Sequence, residues 1–373
     1  MVAAVLPALI GCPEVRPPTP KPAPAPTTSA VATASATVPD PEPTEIAPIP
    51  GQRVVIEDKA MGTRVVLAAY TTETIGRVAV RKALDAALAE IRRIESVMST
   101  WIPTSDVSKI NNEAGSKPVS VSEETFNVIA KSLWISKLSE GTFDITFASM
   151  GALWSFDENL STRVPDPKEV EKARKKIDYT KVKLDATETT VMLQDADTRI
   201  NLGGIAKGYA IDRASALLRE RGLTSFYCQA GGDLFVEGKK PDGTPWRVGI
   251  RDPRGPEGKY FAILDVEDHA FSTAGDYERF FLTKDGKRYH HILDPRTGYP
   301  ATASRSVTIW AKDAVTADAI DNAVFILGPE KGLALVESLD ETGAVIVDAN
   351  NKVHVSKRLK GRVKILRPPT DGP

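Results

Sequence analysis

At 373 residues, 42% hydrophobic and 26% charged, the chain has the size and make-up of one large or two fused globular units of an ordinary soluble enzyme. Its 48 lysines and arginines against 49 aspartates and glutamates leave a formal net charge of −1, too little positive charge to hold a polyanion, so nucleic acid is excluded as a leading partner. No structural disulfide is expected between the two cysteines, Cys12 and Cys228, because it would tie the extreme N-terminus to the body of the protein.

In chain order, the first segment is MVAAVLPALIGC. Its apolar run ends Leu9-Ile10-Gly11-Cys12, which resembles the lipobox at which bacterial lipoprotein precursors are cut and acylated; the alternative is a chance cysteine after a hydrophobic stretch. The run is shorter than the roughly 20 apolar residues a spanning helix needs, and it lacks the basic region expected ahead of a signal peptide. Residues 1–12 are therefore taken as a signal and lipobox region with Cys12 as the lipidated residue. Residues 13–53, dense in proline, alanine and threonine, bury too little surface to offset ordering entropy and predict a disordered tether. Such a tether suits a globular domain held off a bacterial membrane on its extracytoplasmic side.

The folded part is expected over residues 54–366, with a short tail over 367–373. Strand-like VVIED and RVVLAAY flank Met61-Gly62-Thr63, and Val80, Leu84, Leu88 and Ile91 then recur at helical spacing. A second helix is predicted after Ser122, with Glu123 and Glu124 in its first turn. From Phe226 onward FAILDVED, RSVTIW and GAVIVDA read as strands, and Lys284-Asp285-Gly286-Lys287 reads as a hairpin turn. Two further helices are predicted, over Ala314 to Leu327 and after Pro329. Helices and strands mix without a regular βαβ rhythm, which argues an α+β fold.

Three strings carry candidate chemistry. Asn201-Leu202-Gly203-Gly204-Ile205-Ala206-Lys207-Gly208 leads into a helical pattern, so free N–H groups and Lys207 can meet a phosphate, although a purely structural turn has the same appearance. Its spacing fits neither a Walker A loop nor a Rossmann fingerprint. Around Ser272-Thr273-Ala274-Gly275-Asp276-Tyr277-Glu278-Arg279 and Tyr289-His290-His291-Ile292-Leu293-Asp294-Pro295-Arg296-Thr297-Gly298, two of the four histidines stand together. Strand alternation points them to opposite sides, so one of them enters a pocket or both are edge-strand residues. Asp318 and Asn322 lie four apart in a helical pattern and share a face that suits a hard cation or simply solvent.

These strings, with Met61-Gly62-Thr63, the segment Met98 to Asn111, Gly141-Thr142-Phe143-Asp144-Ile145-Thr146, Leu153-Trp154-Ser155-Phe156 and Ala230-Gly231-Gly232-Asp233, resemble the ApbE family over nearly all of residues 54–366. The resemblance implies an α+β, T-fold-related arrangement of mixed sheets and packed helices with an FAD cleft between two subdomains. It implies Mg²⁺-dependent transfer of FMN from FAD to a threonine or serine of a recipient flavoprotein, a subunit of an extracytoplasmic redox complex, with release of AMP. The alternatives are an FAD pyrophosphatase giving FMN and AMP, and a non-catalytic FAD-binding lipoprotein. Position by position, the metal site falls on Asp318, Asn322 and a backbone carbonyl near Ala206. His291, with Asp276 as second candidate, falls at the reaction centre. Met61, Trp101, Asp144, Thr146, Lys207, Gly231, Gly232, Asp233 and His291 fall at the cofactor. The chain departs from the family pattern at Asn322, where threonine is usual, at Asn201, where aspartate is frequent, and at Ala274, where serine is usual. Trp101 is placed where an aromatic plane can stack on flavin or exclude water, which favours transfer over hydrolysis.

Overall fold

A computed structural model describes residues 48–156 and 163–372. The expectations for Cys12 and for the tether as far as residue 47 lie outside the described residues. Strands β1 (Arg53–Ala60) and β2 (Thr63–Tyr70) form a hairpin over the turn Met61-Gly62, whose φ angles of 52° and 67° match the twist of the flanking strands. In α1 (Arg77–Met98), Val80, Leu84, Leu88 and Ile91 are all buried, as their spacing predicts. After α2 (Asp106–Asn112) and β3 (Val119–Ser120), α3 (Glu123–Leu138) starts where expected, with the Ser122 hydroxyl accepting the Thr125 N–H. A 3₁₀ segment, Ile145–Leu153, precedes α4 (Pro167–Arg174), β4 (Val182–Asp185) and β5 (Thr190–Leu193).

The second half begins with α5 (Ala206–Glu220) and continues through β6 (Phe226–Ala230), β7 (Asp233–Glu237), β8 (Trp246–Arg251), β9 (Tyr260–Val266) and β10 (His269–Gly275). The expected hairpin is β11 (Phe280–Leu282) with β12 (Arg288–His290), turned by Gly286 at φ 80°. Short β13 (Leu293–Asp294) and β14 (Tyr299–Pro300) pair before β15 (Ser304–Ala311). Helix α6 (Ala314–Glu337) is broken at Gly328, φ 75°, ahead of Pro329, which gives the two helical stretches the sequence predicts. Strands β16 (Gly343–Asp348), β17 (Val353–Val355) and β18 (Lys364–Ile365) complete the described chain.

The architecture is α+β. The main sheet has the order β1-β2-β6-β7-β10-β15-β16-β17, with every recorded pair antiparallel. Its one face packs on α1, α5 and α6 through residues such as Leu67, Ile91, Ile211, Phe226, Ile320 and Phe325. On the other, a small β18-β9-β8 sheet closes a second core of Trp246, Phe261, Trp310 and Val347. A third cluster of Met150, Trp154, Val170, Phe281 and Tyr289 anchors the β11–β12 hairpin through stacked rings. The segment after Leu366 is tied down: Thr370 donates its N–H and hydroxyl to Asp252, and Asp371 pairs with Arg305 at 3.2 Å. No helix among the described residues is long and apolar enough to cross a membrane.

Candidate active site

The glycine turn and the carboxylate-bearing helix converge. Asn201 accepts the Gly203 N–H at 2.7 Å, which closes the turn that launches α5. Two residues into that helix, α5 and α6 touch: a Cβ at Gly208 would stand 2.2 Å from the Ala314 carbonyl oxygen. Asp318, one turn further along α6 and 2% exposed, is thereby pressed onto the start of α5. One of its oxygens takes the Gly208 N–H at 2.9 Å, a free donor of the helix N-terminus, and the other meets Lys207 Nζ at 2.9 Å. Lys207 also reaches Asp233, at the start of β7, at 2.9 Å.

Around that ammonium the ligand oxygens of Asp233, Asp318 and Asp321 all lie within 4.8 Å of one another. Ser272 on β10 bridges Asp233 and Asp321, and Asn322 donates its amide to the Asp318 carbonyl at 3.0 Å and to Asp321 at 2.8 Å. The same amide nitrogen lies 3.4 Å from where a Cβ on Gly204 would project, so Asn322 faces the glycine turn. Burial, and then the charge of Asp233, lifts Asp318 to about 6 against the pull of Lys207 and the Gly208 N–H. Asp321 is raised well above the carboxylate range by burial and by its two acidic neighbours. Burial alone would lower Lys207; Asp233 and Asp318 outweigh it and keep the ammonium charged.

The serine hydroxyl has one proton for two carboxylates, so one of those short contacts is donated by a protonated carboxyl; Asp321 is the group whose affinity for a proton is raised. Three hard oxygen donors within this spacing, backed by the Gly203 carbonyl of the turn, which lies 3.3 Å from Lys207 Nζ, fit a divalent cation such as Mg²⁺. Such an ion would displace both the ammonium and that proton.

The two histidines separate as strand alternation predicts. His290 is 3% exposed and fixed in the core, its Nε2 on the Ala301 carbonyl at 2.8 Å and its Nδ1 accepting the Ile292 N–H at 3.3 Å. His291 has a fully buried Nδ1 with no hydrogen-bond partner. Burial lowers its pKa to about 3, helped by His290 and by the positive charges of Arg279 and Lys207, so the ring is neutral at physiological pH. Asp276, the second candidate for proton transfer, has both oxygens gripped by Arg254 at 2.6 and 2.7 Å.

The remaining candidates line the surroundings. Thr63 and Gly231 approach so closely that a Cβ on Gly231 would sit 2.8 Å from the Thr63 hydroxyl, which sets the Met61-Gly62 turn beside Gly231-Gly232. Gly232 in turn lies against the Thr273 carbonyl, and Ala274, buried beside it, contributes no hydroxyl. Asp144 and Thr146 turn inward: Asp144 accepts the Thr146 N–H at 2.8 Å and hydroxyl at 2.6 Å and the Tyr179 N–H at 3.0 Å. Burial lifts Asp144 to about 6. That segment abuts the glycine turn through Ile145, whose carbonyl takes the Asn201 N–H at 2.9 Å, and through Phe143 beside Gly204. Trp101 stands on the rim, 81% exposed, next to Thr100, whose hydroxyl is 3.5 Å from the Asn201 amide.

Ser272, Asp321 and Arg254 complete the constellation; Ser272 stands in one of the candidate strings, but none of the three is given a role from the sequence. Asp321 had a legible signal, since residues three apart on α6 share a face with Asp318. For Ser272 and Arg254, partners 39 and 22 residues away give no local signal.

A sequence model of the ApbE family matches residues 61–346. The chain belongs to the ApbE family. It is similar to the FAD:protein FMN transferase of Treponema pallidum (strain Nichols), 34% identical over 301 residues, covering 77% of this chain and 83% of that one. The FAD:protein FMN transferase of Vibrio cholerae is 30% identical over 294 residues, 78% and 86% of the two chains. Among solved structures, the ApbE protein of Thermotoga maritima superimposes with a TM-score of 0.75 at 36% identity, over 83% of this chain and 99% of its own. The flavin transferase ApbE from Vibrio cholerae gives 0.73 at 27% identity over the same shares. The α+β expectation and the family resemblance both hold.

Proposed function

We propose that this ApbE-family protein transfers FMN from FAD to a serine or threonine hydroxyl of a recipient flavoprotein, with Mg²⁺ as the required ion and AMP as the leaving product. The observation that carries the reading is the meeting of the glycine turn with Asp318, Asp233 and Asp321 around one charged centre. A divalent ion held by Asp318, Asp321 and a turn carbonyl near Ala206 would neutralise diphosphate charge and hold the bond to be broken in line. Lys207 stays beside the phosphates when its carboxylates are taken, and the α5 N-terminus adds free N–H groups.

His291 is the proton acceptor this reading favours over Asp276, because its Nδ1 is unpartnered while both Asp276 oxygens are occupied. The acceptor hydroxyl oxygen bonds to the phosphorus of the FMN half and its proton passes to His291. The bridging P–O bond breaks, and its electron pair leaves on the AMP phosphate. In the ligand-free site His291 is a weak base, and the negative phosphates beside it raise its proton affinity when FAD is bound. Asn201 accepts the Gly203 N–H as an aspartate would, and Asn322 still faces the turn, which supports a working site over a non-catalytic one.

Incubation with FAD, Mg²⁺ and a tagged acceptor, read by in-gel flavin fluorescence and by AMP, tests this. Wild type should give both signals and Asp318→Ala neither. AMP with free FMN only would identify a pyrophosphatase, and bound FAD with neither product would refute catalysis. The proposed setting is a lipid anchor at Cys12 on the extracytoplasmic face of a bacterial membrane, with a redox-complex subunit as recipient, supported by the Leu9-Ile10-Gly11-Cys12 string and the proline-rich segment after it. Cell fractionation decides the anchor: Cys12→Ser should leave the membrane fraction, and an unchanged distribution sinks it.

A further inference from the structure

Among the described residues, Arg279 is a cation of the site with no acidic partner. Lys207 is taken by Asp233 and Asp318, Arg254 by Asp276, and His291 is neutral. Arg279 is exposed and has no ion-pair or side-chain hydrogen-bond partner among the described residues. Its place is fixed by its backbone. The pairing Phe280↔His290 in the β11–β12 hairpin continues one step outward, where the His291 N–H donates to the Arg279 carbonyl at 3.1 Å. Residues opposite each other in an antiparallel pair point to the same face, so Arg279 and His291 project together, while Phe280 and His290 project to the other side. The guanidinium lies 4.0 Å from where a Cβ on Gly62 would stand, so it spans from the hairpin to the Met61-Gly62 turn.

An arginine whose neighbours are a neutral imidazole and a glycine turn has its fork of donors open to an incoming oxyanion, and planar N–H pairs match phosphate bidentately. We propose that Arg279 binds the phosphate on the FMN side of the dinucleotide, on the same face as His291, and so holds the phosphorus that is attacked. The assignment deepens the proposed transfer and rests on it for the identity of the ligand. It places the cation on the phosphate that remains with the flavin, whereas the acidic cluster and the glycine turn serve the rest of the diphosphate. As Arg279 is exposed, its replacement leaves the cores intact, and an unchanged melting temperature checks this.

The test compares Arg279→Gln and Arg279→Lys with wild type in titrations with FMN and with riboflavin, followed by flavin fluorescence, beside turnover of FAD. Loss of a charged hydrogen-bonding partner should weaken FMN binding by about ten- to a hundredfold. Riboflavin, lacking the phosphate, should bind all three proteins alike, and lysine should restore part of the loss. Equal FMN affinity in wild type and Arg279→Gln overturns the proposal, as does an equal loss for riboflavin. The transfer reading is judged separately by the wild type alone: no flavinylated acceptor and no AMP from a protein whose FMN binding still depends on Arg279 would sink the reaction and leave the phosphate contact standing.

Discussion

At the scale of single residues, the site is a set of charges placed where burial makes each one depend on its neighbours. His291 illustrates the sign. Its pKa in the fold, about 3, lies below the ordinary value of 6.5, so the unfolded chain binds the proton more readily. The contribution to stability is complete above pH 6.5 and is lost as pH falls from there towards 3. Replacing the ring should remove that loss. Between pH 7 and pH 5, wild type is expected to lose about 1–2 kcal/mol more stability than His291→Gln, measured by urea unfolding at both values; equal losses would place the ring in solvent. Much of this constellation was legible in the sequence. Lys207 and Asp318 each stood inside a string whose glycines or spacing gave a chemical reason to single them out, whereas Asp233, and the choice of His291 over His290, came from the family resemblance. Asp321 escaped because a carboxylate three residues from another on a helix has the look of a solvated face. Only β7 and β10, pressed against α6 from distant parts of the chain, bury it.

At the scale of elements, the decisive feature is the crossing of α5 and α6. Gly208 lets the two backbones touch, and Asp212, one turn on along the same face of α5, accepts the Ala314 and Val315 N–H groups at 2.8 Å each and ties the start of α6 to it. Asp318 reaches the α5 N-terminus only because of that approach. Gly208→Ala should therefore push the helices apart, destabilising the fold by about 1–3 kcal/mol by overpacking. It should also break the contact of Asp318 with the Gly208 N–H, so weakened metal binding by titration calorimetry is expected to accompany the lower urea midpoint. A variant with wild-type values for both would show that the crossing has slack. Element identity was readable from local pattern, including the break at Gly328-Pro329 and the hairpin over Gly286. The pairing of elements was not. β2 pairs with β6 across an interval holding five α-helices and a separate small sheet, and nothing in either strand's alternation names its partner.

At the scale of the whole molecule, two segments depart from the sequence expectation: residues 48–53, expected within the tether, are tied to Thr71 through Gly51 and Gln52 and enter β1 at Arg53, and the chain beyond Leu366 behaves as part of the fold. Thr370 caps Asp252, which also accepts the Arg254 and Gly255 N–H groups, and Arg254 holds Asp276. Removing residues 368–373 should lower stability by about 1–3 kcal/mol through the lost hydrogen bonds to a carboxylate, read as a lower melting temperature; no change would return the segment to the status of a tail. Composition gave no warning, because a proline-rich end without large apolar residues is held here by polar contacts and by the burial of Pro369. The strand order of the main sheet has a different consequence. It rises without inversion from β1 to β17, so a polypeptide delivered N-terminus first can dock every new strand on an edge already present, with nothing to thread. The three aspartates are distributed along that sequence of additions: Asp233 arrives with the fourth strand of the sheet, and Asp318 and Asp321 only with the helix after the sixth. A nascent chain halted before Ala314 would own the glycine turn and Lys207 with a single carboxylate to face it. The capacity proposed above, to hold a metal and a diphosphate, would thus switch on near the close of assembly and spare a half-built protein from capturing those ligands.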